Sequence, residues 1–204
     1  MAGTPVSEMQ RAAIERKWAE INRQLDLPSG YPFDLTDLER TLQGAIEGRF
    51  PDQLFVETGE LVLRLPALAR PTLGALRSNF DWIKKIEGDG SPTEVTTLRL
   101  GTLLRANEDS IDGQEYERRR VSLPTLGYQH AVWLVAHQDE FPALMALLGK
   151  VYIDFPGLVV VNVDGNRNFA CLIRGGGRWG LGWDWAGSSL SSDGRVAVSG
   201  KSST

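Results

Sequence analysis

Apolar residues recur at helical spacing near the start of the chain and at alternate positions near its end. Ile14, Trp18, Ile21 and Leu25 make one apolar stripe behind Thr4 and Pro5, a cap and a first-turn proline, so the spacing predicts an amphipathic helix whose stripe packs into a core. LPSGYPF from Leu27 breaks it. Thr36 and Glu39 then form a capping-box pair for a short helix carrying Leu38, Leu42 and Ile46 and closed by Gly48. LFVETGELVLRLP from Leu54 reads as a hairpin, because β-rich runs flank Thr58 and Gly59. Pro71 precedes Leu73, Leu76 and Phe80, which predicts a helix to about Asn79, followed by a hairpin turning at Gly88 to Pro92. NEDSIDGQEYERRR from Asn107 reads as a charged, solvated loop. A helix is expected from about Thr125 and a second from about Glu140 to Gly149, with Pro142 in its first turn.

From Val151 the period changes to two. Short apolar runs are separated by PG, DGN, GGG and SSDG, the punctuation of an antiparallel meander with a tight turn at Asp164-Gly165. Alternation places Phe169, Cys171 and Ile173 on one face of a strand and Asn168, Ala170 and Leu172 on the other. On the next strand, Trp179, Leu181, Trp183 and Trp185 share a face and alternate with Gly180, Gly182 and Asp184. Each aromatic buries ~150 to 250 Å², so the indole face is expected to be core and the small residues to face outward. Glycine inside a strand costs roughly 0.5 to 1 kcal/mol relative to alanine, so something other than stability is expected to favour Gly180 and Gly182. The fold class is therefore α+β. N-terminal helices with a small hairpin occupy 1-122, and a helical pair followed by a Trp-rich antiparallel meander occupies 123-204.

Composition narrows the function. The net charge of -4 and a pI near 5.3 argue against nucleic acid as partner, since RRR at Arg118 to Arg120 is the only basic cluster. The lone Cys171 can form no internal disulfide, and the apolar stretches fall short of the ~20 residues of a membrane span, so a cytoplasmic location is the default expectation. Asn107, Asp109 and Asp112 do not have the spacing of a calcium loop. His130 and His137 lie seven apart on one helix, about 10.5 Å at ~1.5 Å per residue, too far to hold one small ion comfortably. Neither metal nor cofactor is expected. Gly175 to Gly177 lack the lysine and helix of a phosphate loop and read as a hairpin turn.

The last 54 residues contain no glutamate, glutamine or methionine and a single lysine, Lys201, whereas the first 150 contain 13 glutamates. The residues used in their place are reachable from codons ending in a pyrimidine. Together with the alternation of Trp179 to Trp185, the tract from Asn162 to Lys201 resembles the variable region of target-binding proteins diversified by retroelements. Many of those have a C-type-lectin-like fold, and three fragments are similar to its landmarks: LPT at Leu123 to Thr125, RGGGRW at Arg174 to Trp179 and GRVAVS at Gly194 to Ser199. The fold's usual tryptophan-rich segment is missing between Lys150 and Ile173, and GRV stands where an aromatic is common.

The resemblance implies a non-enzymatic protein that binds a protein or surface ligand. Strand alternation is suited to the task, with buried anchors on one face and tolerant positions on the other. The expected surface comprises Asn166, Asn168, Ala170, Gly180, Gly182 and Asp184, together with the loop serines Ser188, Ser189, Ser191 and Ser192. Two other classes compete. One is a small hydrolase-type enzyme using His137 with Asp139 or Glu140; the other is a structural module in which the helix around Ile14 and Trp18 mediates oligomers.

Overall fold

A computed structural model describes residues 8-26, Leu42 and 55-200 of the chain. The chain divides into two compact units, 1-52 and 53-204. The division expected at 122/123 falls inside the second.

In the first unit, α1 spans Glu8–Leu25, as the stripe predicts. Ile14, Trp18 and Leu25 are nevertheless exposed, so they do not supply the core expected of them. The capping box at Thr36 and Glu39 lies outside the described residues, where only Leu42 is seen, in a helix.

The second unit is built on a mostly antiparallel sheet. Its strands are β1 (Val56–Leu65), β2 (Ile83–Asp89), β3 (Thr96–Thr102), β5 (Tyr152–Asn162), β6 (Arg167–Gly175), β7 (Arg178–Trp185) and β9 (Gly194–Gly200), while β4 (Ser110–Ile111) and β8 (Leu190–Ser191) form a separate pair. The order is β1-β3-β9-β5-β6-β7, with β2 also paired to β5. The helices are α2 (Leu73–Asn79), α3 (Gly113–Arg120), α4 (Tyr128–His137) and α5 (Pro142–Met145).

Both faces of the sheet are covered. Leu98, Leu100, Phe155, Ala170, Leu172 and Trp179 meet Leu134 of α4 and Leu144 of α5. On the opposite face, Phe169, Val196 and Val198 meet Tyr116 of α3 with Ile111, Ala186 and Leu190. A third cluster seats Leu76 of α2 on Ile83, Leu158 and Val160. Among the described residues no helix is long and apolar enough to cross a membrane.

Several elements depart from the sequence reading. Residues 56-65 are one strand, and Thr58-Gly59 is a bulge: the β1 register shifts between Glu57 and Val62, and Gly59 adopts φ 68°. The strands on either side of Gly88 to Pro92 exist, but they form no hairpin; β2 joins β5, whereas β3 joins β1 and β9. The charged loop contains helix α3, whose N-terminus is capped by Asp112, its Oδ1 accepting from the Glu115 N–H at 2.9 Å. Pro156-Gly157 does not end a strand but lies in a register shift within β5. The meander holds from β5 through β6 to β7; β9 then leaves it to lie parallel to β5 and antiparallel to β3. The turn at Gly175 to Gly177 is as expected, with φ 59° and 83° at Gly176 and Gly177.

Candidate functional site

The β6–β7 hairpin sets the geometry. In an antiparallel pair, residues directly opposite one another project to the same face. Asn168 lies opposite Trp185, Ala170 opposite Trp183 and Leu172 opposite Leu181, so these six share the indole face. Phe169, Cys171 and Ile173 lie opposite Asp184, Gly182 and Gly180 on the other. The residues expected to form one surface are thus split between two faces. Ala170 is fully buried among the core residues and is no surface position.

The indoles do not behave alike. Trp179 is 2% exposed and its Nε1–H donates to the Leu144 carbonyl at 3.0 Å, which makes it a core anchor. Trp183 is half-buried in an aromatic cluster, stacked on Tyr128 with centroids 5.4 Å apart and edge-on to Phe80 and Trp82 at 5.3 and 5.4 Å. Trp185 is 54% exposed, against the expectation that the whole indole face is core. The strand ends at that residue, with Asn168 opposite.

The small residues also divide. A Cβ built on Gly180 would come no closer than 3.7 Å to any other group, the Ile173 carbonyl, and Ile173 itself is 46% exposed. A Cβ on Gly182 would lie 3.1 Å from the Cys171 Sγ and 3.3 Å from the Ile173 Cδ1, so Gly182 fills a tight position. Asp184 fastens the following loop: its Oδ1 accepts from the Trp185 N–H at 2.8 Å and from the Ser188 Oγ–H at 2.9 Å. Ser191 bonds Asp193 and pairs with Ser110 in the β4–β8 ladder, whereas Ser189 and Ser192 are exposed. Asn166 is exposed at the β5–β6 turn, and its carbonyl accepts from the Asn168 side chain at 3.0 Å.

Trp185 and Asn166 meet at an open groove of about 760 Å³. Asp112, Gln114 and Glu117 of the α3 segment form one wall; Arg167, Ala186 and Gly187 complete it with the indole. A Cβ on Gly113 would lie 2.1 Å from the Gly187 carbonyl oxygen, so the wall and the loop touch through bare backbone. Arg167 is held by Glu87 and by Glu117, the latter at 3.1 Å. The charge of 107-120 has the character of a solvated loop, yet Asp112 and Glu115 carry the spacing of a helix cap and the segment folds into this wall.

Two arginines of the basic cluster face inward, while Arg118 is exposed and pairs with Glu115. Arg119 is buried and bonds Glu108 and Glu115 as well as the Leu103 carbonyl; its guanidinium holds Glu108 down to about 2. Arg120 is buried too, paired with Glu117 and lying over the Phe169 ring at 5.6 Å. Beneath α3, Asp154 is fully enclosed. Its Oδ2 accepts from the Tyr116 hydroxyl at 2.7 Å, its Oδ1 has no partner, and burial pushes its carboxyl up to about 8.

His137 and its expected partners are not brought together. The His137 ring stacks on Trp133 at 4.3 Å with Nδ1 2.8 Å from the Trp133 carbonyl, while Asp139 binds Arg178 at 2.5 Å. His130 is buried with Nδ1 accepting from the Gly127 N–H, and burial pushes its pKa down to about 4. Among the described residues no three His, Cys, Asp or Glu side chains gather as a metal site would require. No family model matches the chain, and neither a curated protein nor a solved structure matches it.

Proposed function

We propose that the chain is a non-enzymatic binding protein whose recognition surface lies at the rim of the β5–β6–β7 meander. The groove beside Trp185 carries this reading: a half-exposed indole there stands among Asn166, Gln114, Asp112 and Arg167, an amphipathic ring surrounded by hydrogen-bonding groups. Tryptophan and arginine, placed where a partner can exclude water, supply much of the energy of protein recognition. Asn166 is exposed in the groove, Ser189 and Ser192 are exposed in the loop that follows β7, and Gly180 has free space toward the other end of that strand, whereas Trp179, Ala170 and Phe169 hold the scaffold. That segregation supports a surface able to vary without loss of the fold.

The finer reading is that these exposed positions are diversified, as in the retroelement-linked target-binding proteins, on a C-type-lectin-like frame. Two of the landmark fragments lie against each other: Ser199 N–H donates to the Pro124 carbonyl at 2.7 Å, and Thr125 forms an antiparallel bridge with Val198. Sequencing the gene's flanks tests it. A near-copy of the coding segment for 162-201, differing at template adenines beside a reverse transcriptase gene, is the expected result; flanks with no such copy overturn the diversification.

A second reading, assembly through α1, rests on its exposed stripe of Ile14, Trp18 and Leu25. Sedimentation of the whole chain and of Trp18→Asp tests it, the variant being expected to sediment at lower mass.

A further inference from the structure

β7 is the last strand of the sheet, so one of its edges has no partner strand. Along an antiparallel ladder, residues alternate between those whose backbone groups bond the neighbouring strand and those whose groups point away. Trp179 points away: its N–H donates to the Gln138 Oε1 at 2.8 Å, and its carbonyl accepts from the Gln138 Nε2 at 3.2 Å. The β6–β7 register runs unbroken to Trp185, so Leu181, Trp183 and Trp185 also direct their N–H and C=O outward. Trp185 is closed off by its own loop, with Asp184 Oδ1 accepting from its N–H and Ser188 N–H donating to its carbonyl, both at 2.8 Å. The edge is therefore clamped at both ends. Between the clamps, the outward N–H and C=O of Leu181 and Trp183 have no hydrogen-bond partner among the described residues.

We propose that this window on β7 receives an extended segment of a protein partner, which adds to the sheet as a further strand. The unmet backbone groups call for an occupant with its own main chain extended, since side chains alone do not repeat at that spacing. Its residues facing the indole side would lie beside Trp183, Tyr128 and Trp82, which favours apolar or aromatic side chains there. On the other side the occupant would lie beside Gly180 and Gly182, which present no side chain of their own. A second copy of the chain is a poorer occupant, because the clamps limit edge pairing to the few residues between Trp179 and Trp185, whereas stable dimers bury ~1,200 Å² or more. The window is independent of the groove at Trp185, and either can fail alone.

The test is a selection of random displayed peptides, about twelve residues long, on the full-length chain, with enriched sequences remade synthetically. Enriched peptides are expected to alternate apolar and polar residues. Leu181→Pro removes one outward N–H and leaves the β6–β7 bonds intact, so it is expected to weaken binding about three- to tenfold more than Leu181→Ala does. N-methylation of the peptide at alternate amides should weaken binding in one register and not in the other; on the unaltered chain, this decides the matter should Leu181→Pro fail to fold. Failure to enrich any peptide, equal binding by the proline and alanine variants, or indifference to N-methylation would overturn the proposal. A dimer of the free chain that Leu181→Pro dissociates would overturn it as well, by placing a second copy at the edge.

Discussion

Gly180 and Gly182 stand two residues apart on one strand and meet different surroundings. A methyl group at 180 enters open space, and alanine is the better strand residue, so Gly180→Ala is predicted to stabilise by about 0.5 to 1 kcal/mol. At 182 the same methyl presses on the Cys171 Sγ, and the gain is offset by crowding of ~1 kcal/mol or more. Chemical unfolding of the two variants checks the contrast. Asp154 and His130 are two groups whose shifts act on stability near neutral pH. The folded Asp154 value of about 8 lies above its unfolded value of about 3.9, so its stabilising share is complete below pH ~4 and is lost as pH rises toward 8. The folded His130 value of about 4 lies below about 6.5, so its share is complete above pH ~6.5 and is lost as pH falls toward 4. Above pH ~6.5 only Asp154 of the two still acts. The unfolding midpoint is therefore predicted to fall between pH 6.5 and 8, and Asp154→Asn to flatten that fall. The buried Asp154 and the aromatic box around Trp183 were not legible as such, because burial of a single residue depends on what packs above it.

At the scale of elements, local chemistry predicts where chain segments become regular and says little about which of them pair. Residues 83-89 and 96-102 are strands, as their pattern suggests, yet each finds its partners far along the chain, at β5 and at β1 with β9. The Thr58-Gly59 pair has the composition of a turn, and the chain uses its left-handed glycine to bulge a continuous strand instead. Gly59→Ala is predicted to cost about 1 kcal/mol from the φ 68° backbone alone, although nothing crowds its Cβ. Helix α3 was hidden by charge, since glutamates and arginines on both sides of Tyr116 mask its one inward stripe. Asp112→Ala removes its cap and is predicted to cost ~1 kcal/mol and to loosen the groove wall, which amide exchange along 113-117 would report.

For the second unit taken whole, the C-terminal tract cannot be read by itself. β9 lies between β3 and β5, and β2 also joins β5, so residues before 122 complete the sheet that the meander begins. A module cut at 123 would expose the β9 edge and part of the core. Within that sheet the expected division into anchors and tolerant positions is kept by Trp179, Asn166 and Gly180, broken by Ala170 and Gly182, and shifted by Trp185 from core to rim. The most direct measurement is a complete substitution scan of residues 162-200, with each variant scored for protease resistance as a reading of folding. Broad tolerance is predicted at Asn166, Gly180, Trp185, Ser189 and Ser192, with sharp intolerance at Phe169, Ala170, Trp179 and Ala186. Tolerance scattered without regard to this division, or a Trp185 as indispensable to folding as Trp179, would contradict it.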